Sequence, residues 1–265
     1  MTSAREQVLS DGTRRPTGTF LGEFYEPYEA LRAAGYSIAV ATPEGRPPTI
    51  DPESLDDKYW DEHPEGRGAA QQLFKKEPVL LDPLTMEQAL QRSTAYQRLI
   101  VPGAQGVMVD LLDDARVHRL VSRFAESHRP VGLICHAPAL LVRMQQPGSL
   151  QGRRMTAVSG LEELYIETFV MDAEPVFRGV GGALDERGYR HAAAFPGSAH
   201  AVRDCNLVTS QNPFSEAAFN EAYLAALRDY RRGARCVLAT SDGSSSRSAR
   251  QPAKTSSSEP AVRSR

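Results

Sequence analysis

The most constraining feature of the sequence is an apolar run that ends in a cysteine and a helix start, Pro130–Leu141 (PVGLICHAPALL). Its first part, Val131–Ile134, is apolar without alternation, which predicts a strand buried on both faces of a parallel sheet. Pro138 follows where a helix would begin, a position at which proline is tolerated. The run therefore predicts a sharp strand-to-helix turn that carries Cys135 at the carboxyl end of its strand, where open α/β sheets place their sites.

A cysteine on such a turn is a candidate nucleophile. The amino-terminal end of the following helix favours the thiolate, and a lowered pKa would make Cys135 reactive at neutral pH. His136 comes next and places an acid or base near the sulfur, as in a nucleophile elbow with sulfur in place of a serine oxygen. The alternative is a small, inert, buried cysteine, and the spacing alone leaves both open. Cys205 and Cys236 lack this context and are interpreted as structural or incidental.

Short apolar runs alternate with amphipathic stretches along most of the chain. This order predicts an α/β fold: one doubly wound domain over residues 1–240, with a mostly parallel sheet and helices on both faces. The candidate strands are Tyr36–Thr42, Arg98–Val101, Val131–Cys135, Met155–Ser159 and Asn206–Thr209. The candidate helices are Tyr25–Ala34, Ala115–Ser127, Pro138–Gln145, Glu162–Met171 and Glu216–Tyr230.

The start of the chain fits this sheet poorly. A first strand is needed before the loop at Gly12–Gly18, and the only candidate is Arg5–Ser10, whose apolar residues are Val8 and Leu9. We expect either a short first strand or an atypical start.

Two segments lie outside the α/β pattern. Pro43–Ser93 is rich in proline and charge and has no clear strand, and a structureless loop of that length is improbable inside a compact domain. We therefore expect a helical, cap-like insertion over residues 43–95. Ser241–Arg265 contains nine serines, no aromatic residue, five basic and two acidic residues. Such a segment cannot bury enough apolar area to fold, so a disordered tail is predicted.

Composition argues against several classes of protein. The formal net charge is −2, which gives no global attraction to nucleic acid or to an anionic membrane. No apolar run approaches the roughly 20 residues that span a bilayer, and Met1–Pro16 does not have the pattern of a secretory signal. Three cysteines are too few for a disulfide framework, which favours a reducing, cytoplasmic location. Because the histidines form no HxxxH pair and no CxxC occurs, no metal site is expected.

Two further features could contribute to a site around Cys135. In Leu99–Leu111 (LIVPGAQGVMVDL) a strand runs into a glycine-rich turn whose amides would suit an oxyanion hole, although an ordinary strand-to-helix turn explains this pattern better by itself. Glu23 lies among apolar and aromatic neighbours at the start of a helix, and burial there would raise its pKa and keep its proton bound or shared with a neighbour. The other acidic candidates, which more often only solvate a face, are Glu26, Glu162, Glu163 and Glu167.

Taken together, these segments resemble the ThiJ/PfpI superfamily, which has the class I glutamine amidotransferase-like, flavodoxin-like fold. The nearest branch is the one that contains cofactor-independent glyoxalase III enzymes and heat-shock chaperones. The resemblance covers about three quarters of the chain, in family order. The segments that carry it are TGTFLGEFYEPYEAL (Thr17–Leu31), ATPEGRPPTIDPESL (Ala41–Leu55), IVPGAQGVMVDL (Ile100–Leu111), VGLICHAPALL (Val131–Leu141), GRRMTAVSGLEE (Gly152–Glu163) and DCNLVTSQNPFS (Asp204–Ser215).

Carried over position by position, the resemblance implies a catalytic set centred on Cys135. Cys135 would be the nucleophile, with His136 as its neighbouring acid or base. Glu23 would hydrogen-bond the nucleophile, and Glu163 would orient the histidine. The backbone amides that face the substrate oxygen would be those of Gly103, Ala104 and His136.

The chain departs from the family pattern at three places. Gly103–Gly106 reads GAQG where the branch usually has GGHG, so the Cβ of Ala104 would strain a turn suited to glycine and Gln105 replaces a histidine. Thr156–Val158 (TAV) stands in place of TGF, and Thr209–Pro213 (TSQNP) in place of TGQNP. These changes leave the substrate preference and the rate open.

The resemblance implies a glutathione-independent conversion of methylglyoxal to lactate through a cysteine adduct, with no cofactor. The implied partners are a small aldehyde substrate and a second copy of the chain in a homodimer, with no nucleic acid and no membrane. Four alternatives stay open: a stress-response holdase, a Cys-dependent amide or peptide hydrolase, a glycation-repair protein, and a member that only binds.

Overall fold

The computed structural model describes residues 1–61 and 63–233. The tail predicted for residues 241–265 and the third cysteine, Cys236, lie outside the described residues. The strands are β1 (Glu6–Val8), β2 (Arg14–Pro16), β3 (Ala41–Thr42), β4 (Leu84–Thr85), β5 (Leu99–Val101), β6 (Val131–Ile134), β7 (Arg154–Met155), β8 (Arg190–His191), β9 (Ala201–Asp204) and β10 (Leu207–Ser210).

Among the described residues, four α-helices have 12 to 16 residues and the others are shorter. They are α1 (Leu21–Ala33), α2 (Pro64–Lys76), α3 (Pro78–Leu81), α4 (Met86–Gln91), α5 (Val107–Asp110), α6 (Ala115–Glu126), α7 (Ala139–Arg143), α8 (Gly160–Tyr165), α9 (Val180–Glu186) and α10 (Glu216–Arg231). A π-helix, Ile166–Met171, continues α8. None of the helices within residues 1–61 and 63–233 has the length and apolar character needed to cross a bilayer.

A four-stranded sheet in the order β5–β6–β10–β9 forms the centre of the fold. Strands β5, β6 and β10 are parallel, and β9 is antiparallel to β10. Val131 of β6 lies opposite both Leu99 and Leu207, so the three parallel strands end at one edge. All residues of β6 and β10 are buried, which is why their sequences do not alternate. The predicted α/β class with a mostly parallel sheet is confirmed.

Helix α10 packs closely on this sheet because β6 has no side chain at Gly132. A Cβ at that position would lie 2.7 Å from the ring of Phe219 and 3.0 Å from the ring of Tyr223, both in α10. The Tyr223 hydroxyl also donates to the carbonyl of Leu99 in β5 at 2.9 Å. The aromatic residues of α10 therefore hold β5 and β6 together. Helix α6 adds a second apolar face, made of Val117, Leu120, Val121, Phe124 and Ala125.

Two of the predicted strands are much shorter than expected. Within Tyr36–Thr42 only Ala41 and Thr42 form a strand, and it pairs with β4 rather than with β5. The run Met155–Ser159 contributes a single residue to β7, because the chain then turns toward the carboxyl edge of the sheet. There the amide of Val158 donates to the carbonyl of Cys135 at 3.0 Å.

The expected first strand is not part of the central sheet. Residues of Arg5–Ser10 form β1, which pairs antiparallel with β2 as a separate hairpin. The physical reason is the composition noted above: Val8 is 46% exposed, and of the two apolar residues only Leu9 is buried. Within the described residues, the outer edge of β5 is therefore left without a neighbouring strand.

The insertion at residues 43–95 is helical, as predicted, and contains α2, α3 and α4. Its own small core includes Trp60, which is buried and donates from Nε1 to the carbonyl of Ser54 at 2.8 Å. This contact fixes the short 3-10 turn Asp57–Tyr59, which faces the cavity described below. The function of the insertion as a cap stays a prediction.

Replacing Gly132 with alanine should destabilise the fold, because the new Cβ meets the rings of Phe219 and Tyr223. Overpacking of this kind costs about 1–3 kcal/mol, a fall of several degrees in melting temperature. Gly182→Ala is the matched control, since no atom lies within 4 Å of the added Cβ and alanine favours the helix. Thermal unfolding followed by circular dichroism checks both, and equal melting temperatures would contradict the packing described here.

Candidate active site

Cys135 lies on a strained turn at the carboxyl end of β6. Its φ is +57°, in the left-handed region that non-glycine residues rarely adopt. Hydrogen bonds on both sides hold this conformation: the Cys135 amide donates to the Ser210 carbonyl at 2.8 Å, and its carbonyl accepts from Val158. Such strain persists only where the surrounding structure over-determines it, and it is frequent at functional sites.

Glu23, in the first turn of α1, lies against the cysteine. Its side chain is completely buried, and Oε2 accepts a hydrogen bond from the Gly103 amide at 2.9 Å. Burial raises the pKa of Glu23 to about 8, which favours the protonated carboxyl group. Glu23 and Cys135 lie on either side of Gly103, where an added Cβ would be 2.6 Å from Glu23 Oε2 and 2.7 Å from the Cβ of Cys135. The hydrogen bond between Glu23 and the nucleophile stays a prediction.

Burial, followed by the neighbouring Glu23, raises the pKa of the Cys135 thiol well above its usual value. This direction is opposite to the one expected for a thiolate stabilised by a helix, and the thiolate stays a prediction. Helix α7 begins only at Ala139 and has five residues, so its dipole is too weak to offset the desolvation of a buried anion. Burial therefore favours the neutral forms of both the thiol and the carboxyl group.

Of the three amides expected to face a substrate oxygen, those of Gly103 and Ala104 lie in different surroundings. The Gly103 N–H is taken up by Glu23 and is not available to a substrate, which corrects that assignment. A Cβ on Gly103 would lie within 2.7 Å of Ile134, Glu23 and Cys135, so glycine is required there for packing. Ala104 lines the cavity with φ +91°, the strained turn anticipated from its sequence, and remains the candidate oxyanion residue.

His136 is buried between the cysteine and a glutamine. Its Nδ1 lies 3.1 Å from the Sγ of Cys135, and its Nε2 lies 2.9 Å from the side-chain amide of Gln105. Burial lowers the pKa of His136 to about 4, so the ring is neutral. Gln7 of β1 in turn donates to Gln105 at 3.0 Å. Because both amides can reverse together, the pair can support either tautomer of the ring.

Glu163 does not orient His136, in contrast to the sequence-based expectation. Its carboxylate accepts from the backbone amides of Gly179 and Val180, at the start of α9, and burial raises the pKa of Glu163 to about 7. Successive residues of a helix point about 100° apart, so the preceding Glu162 faces the cavity instead. The orienting position on the ring is occupied by Gln105.

The site opens into a cavity of about 420 Å³. Residues of the site and of the insertion line it together, among them Ala104, Gln105, Cys135, His136, Glu162, Glu53, Lys58 and Tyr59. The sequence did not predict Lys58 and Tyr59 as site residues, because their segment has neither a strand nor a recognisable motif. Tyr59 contacts Phe20 edge-to-face at 4.9 Å and donates to Glu53 at 3.0 Å. The apolar wall of the cavity includes Phe20, Val158, Leu161, Tyr165, Ile166 and Phe214.

A family model for the DJ-1/PfpI family matches residues 18–226. The chain belongs to the DJ-1/PfpI family. Among solved structures it is similar to glyoxalase III from Candida albicans, with a TM-score of 0.69 and 19% identity over 85% of this chain and 96% of that one. It is also similar to the Francisella tularensis Rapid Encystment Protein 24 KDa, with a TM-score of 0.66 and 20% identity over 85% and 96%. At these identities the likeness shows the fold.

Curated relatives of this DJ-1/PfpI chain are similar over shorter stretches. Protein/nucleic acid deglycase HchA of Pseudomonas aeruginosa is 29% identical over 145 residues, 53% of this chain and 47% of the relative. Protein DJ-1 homolog D of Arabidopsis thaliana is 27% identical over 131 residues, 49% of this chain and 30% of the relative. The chain therefore spans about half the length of the deglycase and about a third of the length of the Arabidopsis protein. The deglycase is named for action on nucleic acid as well as on protein. The expectation that this chain has no nucleic-acid partner therefore stays a prediction.

Gln105→Glu should raise the pKa of His136, because a carboxylate beside Nε2 favours the imidazolium where a neutral amide does not. The measurement is an NMR titration of the His136 ring, whose pKa should move upward from about 4. Gln105→Leu is the control and should give no upward shift. An unchanged pKa in the Gln105→Glu protein would show that residue 105 does not set the ring's protonation.

Proposed function

We propose that this protein is a Cys-dependent, glutathione-independent glyoxalase that converts methylglyoxal and water to lactate. The observation that carries the proposal is the placement of the Cys135 sulfur between a protonated carboxyl group, Glu23, and a neutral imidazole, His136, at a cavity. An acid and a base on two sides of one nucleophile suit addition to a carbonyl group.

In the first step the thiol adds to the aldehyde carbon. The S–C bond forms while the thiol proton passes to Nδ1 of His136, 3.1 Å away. The aldehyde oxygen receives the proton of Glu23, and the Ala104 amide assists as charge develops there. The product is a hemithioacetal beside an imidazolium and a carboxylate, so no buried thiolate has to exist before substrate binds.

The second step moves hydrogen between the two adjacent carbons. The Glu23 carboxylate removes the C1 hydrogen as a proton while His136 protonates the C2 oxygen, which gives an enediol. Glu23 then returns its proton to C2, and the C1 hydroxyl proton passes to His136, which leaves a lactoyl thioester. Water hydrolyses this thioester: Glu23 takes a proton from the water, His136 protonates the departing sulfur, and lactate is released.

A second candidate is removal of methylglyoxal from early glycation adducts. It is favoured by the size of the cavity, about 420 Å³, which exceeds the needs of a three-carbon aldehyde, and by an exposed apolar rim that includes Leu161, Tyr165 and Phe214. The deglycase among the curated relatives is consistent with it. Lactate released from preformed peptide adducts faster than free methylglyoxal dissociates from them would favour this function.

The homodimer expected from the resemblance stays a prediction.

Cys135→Ser should abolish lactate formation from methylglyoxal in the absence of glutathione and added metal, because a buried hydroxyl is far less acidic and less nucleophilic than a thiol. The assay is enzymatic detection of lactate, beside circular dichroism to show that the variant is folded. Turnover by the folded serine variant at the wild-type rate would refute the covalent mechanism.

The pH dependence of kcat/KM should be bell-shaped. The alkaline limb lies near pH 8, because Glu23 must be protonated to act as the acid, and the acid limb lies near pH 4, because His136 must be neutral. Glu23→Gln should lower kcat/KM by about 10²–10⁴-fold and remove the alkaline limb from the residual activity. Glu87→Gln, on the exposed face of α4, is the matched control. An activity that keeps rising through pH 9 would instead indicate a thiolate nucleophile.

A further inference from the structure

The wall of the cavity at Cys135 is divided between the polar groups that carry the proposed chemistry and a larger set of apolar side chains. The first set is Ala104, Gln105, Cys135 and His136. The second set is apolar or aromatic and comprises Phe20, Tyr59, Val158, Leu161, Tyr165, Ile166, Val170 and Phe214. A substrate that fits this cavity is therefore polar where it reacts and apolar elsewhere.

The charged side chains that line the same cavity already have partners. Arg15 lies 3.6 Å from the carboxylate of Asp51, and the Lys58 ammonium group lies 2.5 Å from Glu53. All four of these residues line the cavity, so each positive charge there is offset by a negative one. An ionic substituent on the substrate would have to displace one of these pairs before it could bind.

Glu162, the other carboxylate of the wall, is held by hydrogen-bond donors from three segments. It accepts from the Ser159 amide at 2.9 Å, from the Gly197 amide at 2.9 Å and from the Asn212 side chain at 2.7 Å. The side chain of Gln211 also donates to it. Within the described part of the chain, the wall thus has no charged group that lacks a partner, and burying an unpaired substrate charge beside it would be costly.

The aromatic part of the wall is held in place by its own contacts. Tyr59 packs edge-to-face on Phe20 at 4.9 Å and lies 5.6 Å from the ring of Phe214. The Lys58 ammonium group lies 4.8 Å from the ring centre of Tyr59 and 5.7 Å from that of Tyr165. These rings come from different segments of the fold, and together they give a preformed surface on which an aromatic group can pack.

The size of the cavity also favours a substrate larger than methylglyoxal. Its volume of about 420 Å³ falls in the range of roughly 300–1,000 Å³ in which proteins bind drug-sized molecules. Methylglyoxal would leave most of this space to water against an apolar wall. A phenyl group in place of the methyl group doubles the number of non-hydrogen atoms and replaces that water.

We propose that the substrates of this site are 2-oxoaldehydes whose ketone carbon carries an aryl or branched alkyl group. This inference rests on the proposed function and uses the same chemistry. The thiol adds to the aldehyde carbon, hydrogen moves from C1 to C2, and water hydrolyses the thioester. Phenylglyoxal and water then give mandelate, with no oxidant or reductant.

Val158 is the residue that sets this preference. It is buried, lines the cavity, and its amide donates to the carbonyl of Cys135 at 3.0 Å, so its side chain starts next to the nucleophile. A larger side chain at this position would take the space beside the reacting carbons. It would therefore exclude a bulky substituent more strongly than a methyl group.

The first test compares kcat/KM of the unaltered protein for methylglyoxal, phenylglyoxal and 4-carboxyphenylglyoxal, with detection of each hydroxy acid. We expect phenylglyoxal to exceed both of the others by at least about tenfold, because a single added methylene in an apolar pocket is already worth about 10–200-fold. Equal or lower values for phenylglyoxal than for methylglyoxal would overturn this inference and leave the proposed function standing. Equal values for the two aryl compounds would overturn the apolar assignment, and no turnover of any of them would overturn the proposed function as well.

The second test alters the wall. Val158→Phe should lower the ratio of kcat/KM for phenylglyoxal to that for methylglyoxal by at least about tenfold. Val176→Phe is the matched control, since Val176 is 77% exposed and does not line the cavity, and its ratio should equal that of the unaltered protein.

A variant at the exposed part of the wall covers the case in which Val158→Phe does not fold. Phe214 lines the cavity and is 45% exposed, so Phe214→Ala removes a ring without overpacking. It should lower the same ratio several-fold, because an aryl substituent loses an aromatic partner. An unchanged ratio in Phe214→Ala, or in a Val158→Phe protein shown by circular dichroism to be folded, would overturn the inference.

Discussion

The contact among Glu23, Gly103 and Cys135 joins three parts of the fold at one point. Glu23 comes from the first turn of α1, Gly103 from the end of β5 and Cys135 from the end of β6. The buried carboxyl group accepts a hydrogen bond from the Gly103 amide through Oε2, while Oε1 has no hydrogen-bond partner among the described residues. Loss of the bond to Gly103 would leave a second buried oxygen unsatisfied, at a cost of about 1–3 kcal/mol. Position 103 cannot carry a side chain, so this geometry limits the sequence as well as the chemistry.

Two strained residues lie beside this contact, and hydrogen bonds from neighbouring strands and turns hold Cys135 in place. Cys135 and Ala104 adopt positive φ values of 57° and 91°, each at a cost of the order of 1–3 kcal/mol. Strand β10 fixes the cysteine through Ser210, and the turn after β7 fixes it through Val158. The sulfur is therefore positioned by the backbone before any substrate arrives, and little reorganisation is needed when the S–C bond forms.

The sequence was informative where burial alone determines structure. Unalternating apolar runs identified β5, β6 and β10, and the apolar neighbours of Glu23 predicted its raised pKa. The sequence did not predict side-chain directions that depend on the residue at which a helix begins. The helix after Ser159 begins at Gly160, so that Glu162 faces the cavity and Glu163 faces α9. The depth at which Cys135 is buried could not be read from its neighbours, and this burial raises the pKa of the thiol against the direction expected from the helix.

The amino-terminal hairpin of β1 and β2 is not part of the central sheet but contributes a residue to the site. Its charged residues keep β1 out of the central sheet, yet Gln7 is buried and reaches Gln105, which contacts His136. A histidine in place of Gln105 would itself gain or lose a proton near neutral pH. The side-chain amides of Gln7 and Gln105 do not titrate and only reverse their hydrogen bonds when the ring of His136 changes tautomer. Burial keeps His136 neutral, and the relay adds no charge beside the ring. A neutral histidine is the base that a buried, protonated thiol requires. The protonation state of the nucleophile and the atypical start of the chain are thus parts of one arrangement.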